Sequence, residues 1–415
     1  MRYLVLFLLI IPTQIIFAQE LAKFTVHSEK ERIDAPVSIS LDGINYNSDK
    51  GNLVLYEITE AGESIIPSQI ETGHSAKLWF ILKGVSKKKS ELNFVVKLED
   101  KQILEQPKIL LKKDDWDLSL QVNEKPILSY RFATTLPPAG IDSIYKRSGF
   151  INPVYSPGGQ ILTRIQPPDH YHHYGIWGPW TKTHIEDREV DFWNLIKGQG
   201  TVKFASFLSE TEGAIYSGFQ ALQQHIDFEA KGKDQIAINE ILDVRAWNVE
   251  ENVWVIDYTT SLNSPLQNGI MLDAYRYGGG IGFRATEKWH KDNCTVLTSD
   301  NKTRIDADGS YARWCLVEGE SEVDEGRSGI LFLSHPSNRM HPEPMRIWPM
   351  DANGGRGDMY FEFVPIRHDN WKLESKKNYT LKYRMVIFDG KISGEKAEMY
   401  WKAFAKPPLV IMKRQ

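Results

Sequence analysis

The chain has 415 residues, with 50 basic and 54 acidic side chains and a formal net charge of −4, which gives no electrostatic case for nucleic acid or an anionic membrane surface. Its length exceeds that of the usual single domain, so two domains are expected. The two cysteines, Cys294 and Cys315, allow either one disulfide or two free buried thiols.

At the N-terminus, Arg2, the apolar run Leu4 to Ile11 and small Ala18 before Gln19 have the pattern of a secretory signal peptide over residues 1–19. The apolar run is too short for a membrane span, no later stretch approaches one, and no cysteine follows the cleavage point to carry a lipid. An exported protein, periplasmic or secreted, is expected. Residues 20–113 show short apolar or alternating runs (Val37 to Leu41, Leu53 to Ile58, Lys77 to Leu82, Leu92 to Leu98) divided by polar turn clusters. That spacing predicts a small accessory β-sandwich, with the charged segment Lys112 to Asp115 as its boundary.

Residues 114–415 keep the strand-like texture, as in Leu118 to Val122, Gln235 to Val244, Val253 to Thr260 and Tyr379 to Phe388, but the connections grow long and rich in Gly, Pro and aromatics. Only Glu395 to Phe404 has helical periodicity. The chain is therefore expected to be all-β: a small sandwich followed by a large, curved, two-sheet β-sandwich whose loops build a cleft.

Three stretches carry candidate chemistry. The first, Asp169 to Trp177, reads D-H-Y-H-H-Y-G-I-W and holds His170, His172 and His173, the side-chain type whose ordinary pKa suits proton transfer or metal ligation near neutrality. On a regular strand His170 and His172 share one face, and Tyr171 and His173 the other, so His172 and His173 point to opposite sides. Buried, hydrogen-bonded histidines are the competing reading. The second stretch, Tyr275 to Arg284, reads Y-R-Y-G-G-G-I-G-F-R; its glycines permit close backbone approach, and Arg276 and Arg284 suit a carboxylate or sulfate unless each pairs with an acid of the chain. The third, His335 to Arg346, reads H-P-S-N-R-M-H-P-E-P-M-R and offers His335, Asn338, His341 and Arg346, with a rigid Pro-rich loop as the structural alternative. Seven tryptophans fall near loops (177, 180, 193, 289, 314, 348 and 371), of which two or three are expected to reach a ligand, Trp177 among them, and the rest to be core. No zinc-protease helix, nucleophile elbow, P-loop or C-x-x-C pair is present. No cofactor is required by these patterns. A divalent metal held by His170, His172, His335 and an acid stays geometrically open.

The run D-H-Y-H-H-Y-G-I-W, with V-D-F-W at Val190 to Trp193, Y-G-G-G-I-G-F-R, H-P-S-N and the late Y-R-M-V-I-F-D-G at Tyr383 to Gly390, resembles the signature of the PmoA-like exported family of Bacteroidetes. The match covers about Trp116 to Gly390. Tyr174 stands where that family often has arginine, a departure that implies a different substrate. The pattern is also similar to that of ulvan oligosaccharide dehydratases. The resemblance implies elimination of water across C4 and C5 of a non-reducing-end glucuronate or iduronate in an acidic oligosaccharide, with the unsaturated product passed to a downstream hydrolase. Such chemistry needs a base, an acid and a group that holds the carboxylate. His172 or His173 and a tyrosine such as Tyr174 or Tyr275 suit the first two roles; Arg276, Arg284 or His335 suits the third. His170, Trp177, Asn338, His341 and Arg346 would line the substrate. The rival readings are a carbohydrate-binding protein without catalysis and a metal-assisted glycoside hydrolase or sugar epimerase.

Overall fold

The computed structural model describes residues 19–100, 107–230, 232–249, 252–323 and 326–413; apart from Gln19, the expected leader lies outside the described residues. The described residues are all-β apart from one helix, and the strand-like runs named for residues 20–415 become strands. In the small sandwich a five-stranded sheet contains Gln19–Ser28, Asn52–Thr59, Gly62–Ile66 and Ser90–Glu99, and a three-stranded sheet contains Arg32–Ser40, Gln69–Glu71 and Lys77–Ser86. Alternation along these strands turns Phe24, Phe80 and Phe94 inward, where their ring centroids lie 5.1–5.9 Å apart.

Two strands cross the expected boundary. Ile109–Lys113 is hydrogen-bonded to Asp117–Val122 in the large sandwich, whereas the last strand, Leu409–Lys413, returns to pair with Gln19–Ser28. The helix foreseen at Glu395 to Phe404 spans Gly394–Ala405, started by Ser393, whose hydroxyl accepts from Lys396 N at 3.2 Å. Its buried face, Ala397, Tyr400, Trp401 and Ala403, packs on the small sandwich and on the outer side of the large one.

The large sandwich lays an eight-stranded sheet against a nine-stranded one. Their facing sides share one apolar core, with Phe219, Leu242, Ile256, Phe332 and Met385 from the first meeting Leu118, Ile151, Ile176, Phe283 and Phe361 from the second. Cys294 and Cys315 sit on adjacent strands of the eight-stranded sheet, but Cys294 pairs with Gly319 and Cys315 with Thr298. Four residues of offset is about 13 Å along a strand, far beyond disulfide reach, and both thiols are free and buried.

What positions the candidate site is the other face of the nine-stranded sheet. Because side chains alternate, Ile151, Ile176, Phe283 and Phe361 enter the shared core while their neighbours Phe150, Trp177, Arg284 and Tyr360 point away from it. Loops cover this second face with Tyr174, Trp193, Leu195 and Trp348, making a second, aromatic cluster.

Candidate functional site

The stretch from Asp169 to His173 is not a strand. It folds as two successive turns, with His170 N donating to Pro167 O at 2.9 Å and His173 N to His170 O at 3.1 Å. Gln166 N closes the loop on His173 O at 2.8 Å. A three-residue turn returns the chain to the same side, so the opposite-face expectation for His172 and His173 fails. All three imidazoles converge, with ring centroids 4.7–5.3 Å apart. One nitrogen from each lies within 4.8 Å of the other two, an arrangement that can hold a metal ion.

Residues around the trio fix this turn. Asp191 is fully buried and caps the backbone N–H groups of Trp193 and Asn194 at 2.9 and 2.8 Å. Trp193 is thereby aimed so that its Nε1 donates to His172 O at 2.9 Å. The V-D-F-W motif thus holds the histidine turn in place. Gly175 follows at φ +70°, where a Cβ would lie 2.4 Å from Ile151 O, so only glycine lets the chain pass from the turn into the sheet.

Asp169 joins the trio to a buried ionic network. Its Oδ2 accepts from His170 Nδ1 at 2.8 Å and from Arg284 Nη2 at 2.6 Å. Burial alone would raise this carboxyl, but the His170 hydrogen bond and the Arg284 charge outweigh it and hold Asp169 well below the usual carboxylate range. Arg284 also reaches Asp358 at 2.9 Å and lies over the Trp348 ring at 4.5 Å. Asp358 accepts further from Arg164, Arg356 and Asn353. Three guanidinium groups against two carboxylates leave the network with one positive charge to spare. Burial, then neighbouring positive charge, pushes His172 down to about 4 and His173 well below its ordinary value, so both are neutral at pH 7. His173 is 1% exposed and ringed by Trp177, Trp193, Trp348 and Tyr360 at 5.1–5.6 Å, and its Nδ1 has no hydrogen-bond partner. The side chain of His170 is 34% exposed and marks the open side.

Of the other residues singled out in the sequence, some belong here and others do not. Arg346 joins: its Nη2 donates to Tyr277 Oη at 3.1 Å, and its Nη1 pairs with Asp308 at 2.8 Å. Tyr275 and Arg276 are exposed beside Tyr277, the guanidinium of Arg276 lying 5.3 Å from that ring. Arg284 is present but wholly buried, and its two acid partners explain why it is no free carboxylate anchor. Tyr174 is also wholly buried; its hydroxyl donates to Tyr145 O behind the turn, so an acid–base role for it is corrected. Trp177 is packed beneath His173 rather than facing a ligand. All seven loop tryptophans are at most 9% exposed, which makes them core.

His335, Asn338 and His341 are elsewhere, because the strand that ends at Ser334 belongs to the eight-stranded sheet. His335 caps its own turn through Ser337 and packs on Phe404; His341 stacks on Trp401; Asn338 bonds Glu343 and Lys382 O. The structural alternative for this loop therefore holds, and His335 lies outside the cluster that could hold a metal ion, which is His170, His172 and His173.

Sequence reading missed Tyr277, Asp358 and the Tyr360–Glu362 pair, and named Trp348 only as one of seven loop tryptophans. Tyr277 lay inside a motif already singled out, and Asp358 follows a Gly-rich turn; neither has local spacing that ties it to the histidines. The Tyr277 oxygen accepts from both Arg346 Nη2 and Trp348 Nε1, each at 3.1 Å, so its own proton must be directed away from both. Gly279 allows the adjoining chain to lie against the sheet, since a Cβ there would come within 2.0 Å of Phe363 O.

Residues 117–402 match the family described as "Family of unknown function (DUF6807)". The chain belongs to this family. The DUF6807 span contains the histidine trio, its ionic network and Tyr277, and leaves the small sandwich outside. No curated protein matches the chain.

Glu362 lies behind the site, fully buried, accepting from Gly278 N at 2.7 Å and Tyr360 Oη at 2.8 Å. Burial pushes its carboxyl up to about 8 from the ordinary 4.5. Native Glu362 keeps a proton that the unfolded chain releases, so its contribution is complete below pH 4.5 and is lost as pH rises through 8. Buried Glu343, pushed up to about 7, acts in the same direction. Glu362→Gln is therefore expected to flatten, without abolishing, the fall in urea midpoint between pH 5 and 8. An unchanged slope would show that Glu362 is ionised in the native protein.

Proposed function

We propose that this chain is an exported carbohydrate-active dehydratase that eliminates water across C4 and C5 of a non-reducing-end uronate in ulvan-type oligosaccharides. The observation that carries the reading is the meeting of three imidazoles with Tyr277 in one aromatic site. Trp348 links them, its ring 4.8 Å from His170 and its Nε1 on the Tyr277 oxygen. The spare positive charge of the Asp169–Arg284–Asp358 network suits an anionic sugar, and exposed Arg276 adds to it.

In this reaction the C5–H bond breaks and its electron pair forms the C4–C5 double bond. The C4 hydroxyl leaves with a proton as water. Charge accumulates on the C6 carboxylate as C5 loses its proton, so that end belongs against the histidines and arginines. His172, which is only partly buried, and Tyr277 are the two groups placed for proton transfer; His173 is enclosed by indoles and the Tyr360 ring and does not reach a substrate. The exposed ring of Tyr275 and the partly buried ring of Tyr277 are the sugar-facing aromatics in this reading, in place of the buried tryptophans.

Incubation with ulvan-derived oligosaccharides tests it. New ultraviolet absorbance from a conjugated uronate, without chain shortening, is the expected result. Saturable binding with no new absorbance would instead establish a carbohydrate-binding protein, and shortened chains a hydrolase.

A further inference from the structure

We infer that His170, His172 and His173 are the protein ligands of one divalent transition-metal ion of the zinc class, leaving a coordination position open for an anionic oxygen of the ligand. The inference rests on the reading of the trio as the reacting centre and adds what it binds.

Four observations converge on it. The donor nitrogens lie within 4.8 Å of one another, whereas a tetrahedral ion at about 2.0–2.1 Å from each nitrogen needs them about 3.4 Å apart. Closing that gap takes side-chain shifts of roughly 1 Å. His170 Nδ1 is held by Asp169, and Asp169 by Arg284, which is the carboxylate–histidine support that fixes ring orientation at metal sites. His173 is buried with Nδ1 lacking any partner, a costly state for a polar group that coordination at that nitrogen would relieve. Finally, His170 is open to solvent on one side, so three protein ligands leave room for a fourth from outside.

The donor set also selects the ion. Three imidazoles and no carboxylate in direct reach suit zinc, copper, nickel or cobalt, and disfavour calcium and magnesium, which prefer oxygen. Since the ligands are neutral, the ion keeps its full charge and faces the same side as the arginine network. A uronate carboxylate matches that surface. With the His172 nitrogen committed to the ion, both proton movements fall to Tyr277, which takes the C5 proton as phenolate and hands it to the departing C4 hydroxyl as phenol.

The test uses the full chain, stripped with a chelator and titrated with Zn2+ by calorimetry, a readout independent of turnover. One ion per chain is expected, with no competition from Mg2+ or Ca2+. Asp169→Asn should keep the stoichiometry and weaken binding by about 10- to 100-fold. The His170→Ala/His172→Ala double variant, which spares the buried His173, should lose the site while its circular dichroism is unchanged. Absence of Zn2+ binding, or equal binding by the double variant, overturns the inference. Full turnover by chelated, metal-free protein would sink the inference and leave the dehydratase reading standing; a bound ion without turnover on uronates would do the reverse.

Discussion

Tyr277→Phe is expected to lower turnover on an acidic oligosaccharide by about 100- to 10,000-fold while the chain stays folded, the range for losing a positioned proton-transfer group. The argument is geometric. Arg346 and Trp348 both donate to the phenol oxygen, so its proton is directed elsewhere, and a nearby cation stabilises the phenolate left when that proton moves. Removing the hydroxyl also leaves the buried Trp348 Nε1 without its acceptor, at a cost of about 1–3 kcal/mol, small enough for the fold to survive. Steady-state rates beside a urea unfolding curve separate the two effects. A variant that keeps turnover within about threefold would remove Tyr277 from the proton path, since that is far below the contribution of such a group.

Arg284→Met should be the most destabilising single change at the site, by about 3–5 kcal/mol. Methionine fills much of the volume but carries no charge. Asp358 would still have Arg164, Arg356 and Asn353, whereas Asp169 would keep only His170. The uncompensated charge is therefore that of Asp169, and the stacking of the guanidinium on Trp348 is lost with it. Chemical denaturation measures the change; a loss under about 1 kcal/mol would mean that the Asp169–Arg284 pair is replaceable by packing.

Much of this was legible in the sequence, for a physical reason. Strand periodicity is local, so the runs Val37 to Leu41 or Val253 to Thr260 announce themselves, as does the amphipathic stretch that becomes Gly394–Ala405. The histidine cluster is local too. Its geometry is not, because side-chain direction depends on which period the backbone follows. Strand alternation separates His172 from His173, and two turns bring them together. Residues that complete the site come from strands distant in sequence: Arg284 and Tyr360 are register partners, and Gly175 O receives Arg284 N at 2.8 Å. No spacing rule links 169 to 284 and 358. His335 erred the other way, since an attractive neighbourhood in sequence ended on the other sheet, under the C-terminal helix.

The proposal for the large sandwich turns on what leaves the substrate, and the mass of the product decides it most directly. Wild-type protein incubated with a uronate-terminated oligosaccharide is expected to yield a product one water lighter with the same number of sugar units, and Tyr277→Phe to yield almost none. Fragments with fewer units and one added water, or unaltered substrate in the presence of folded, Zn2+-loaded protein, would contradict the account.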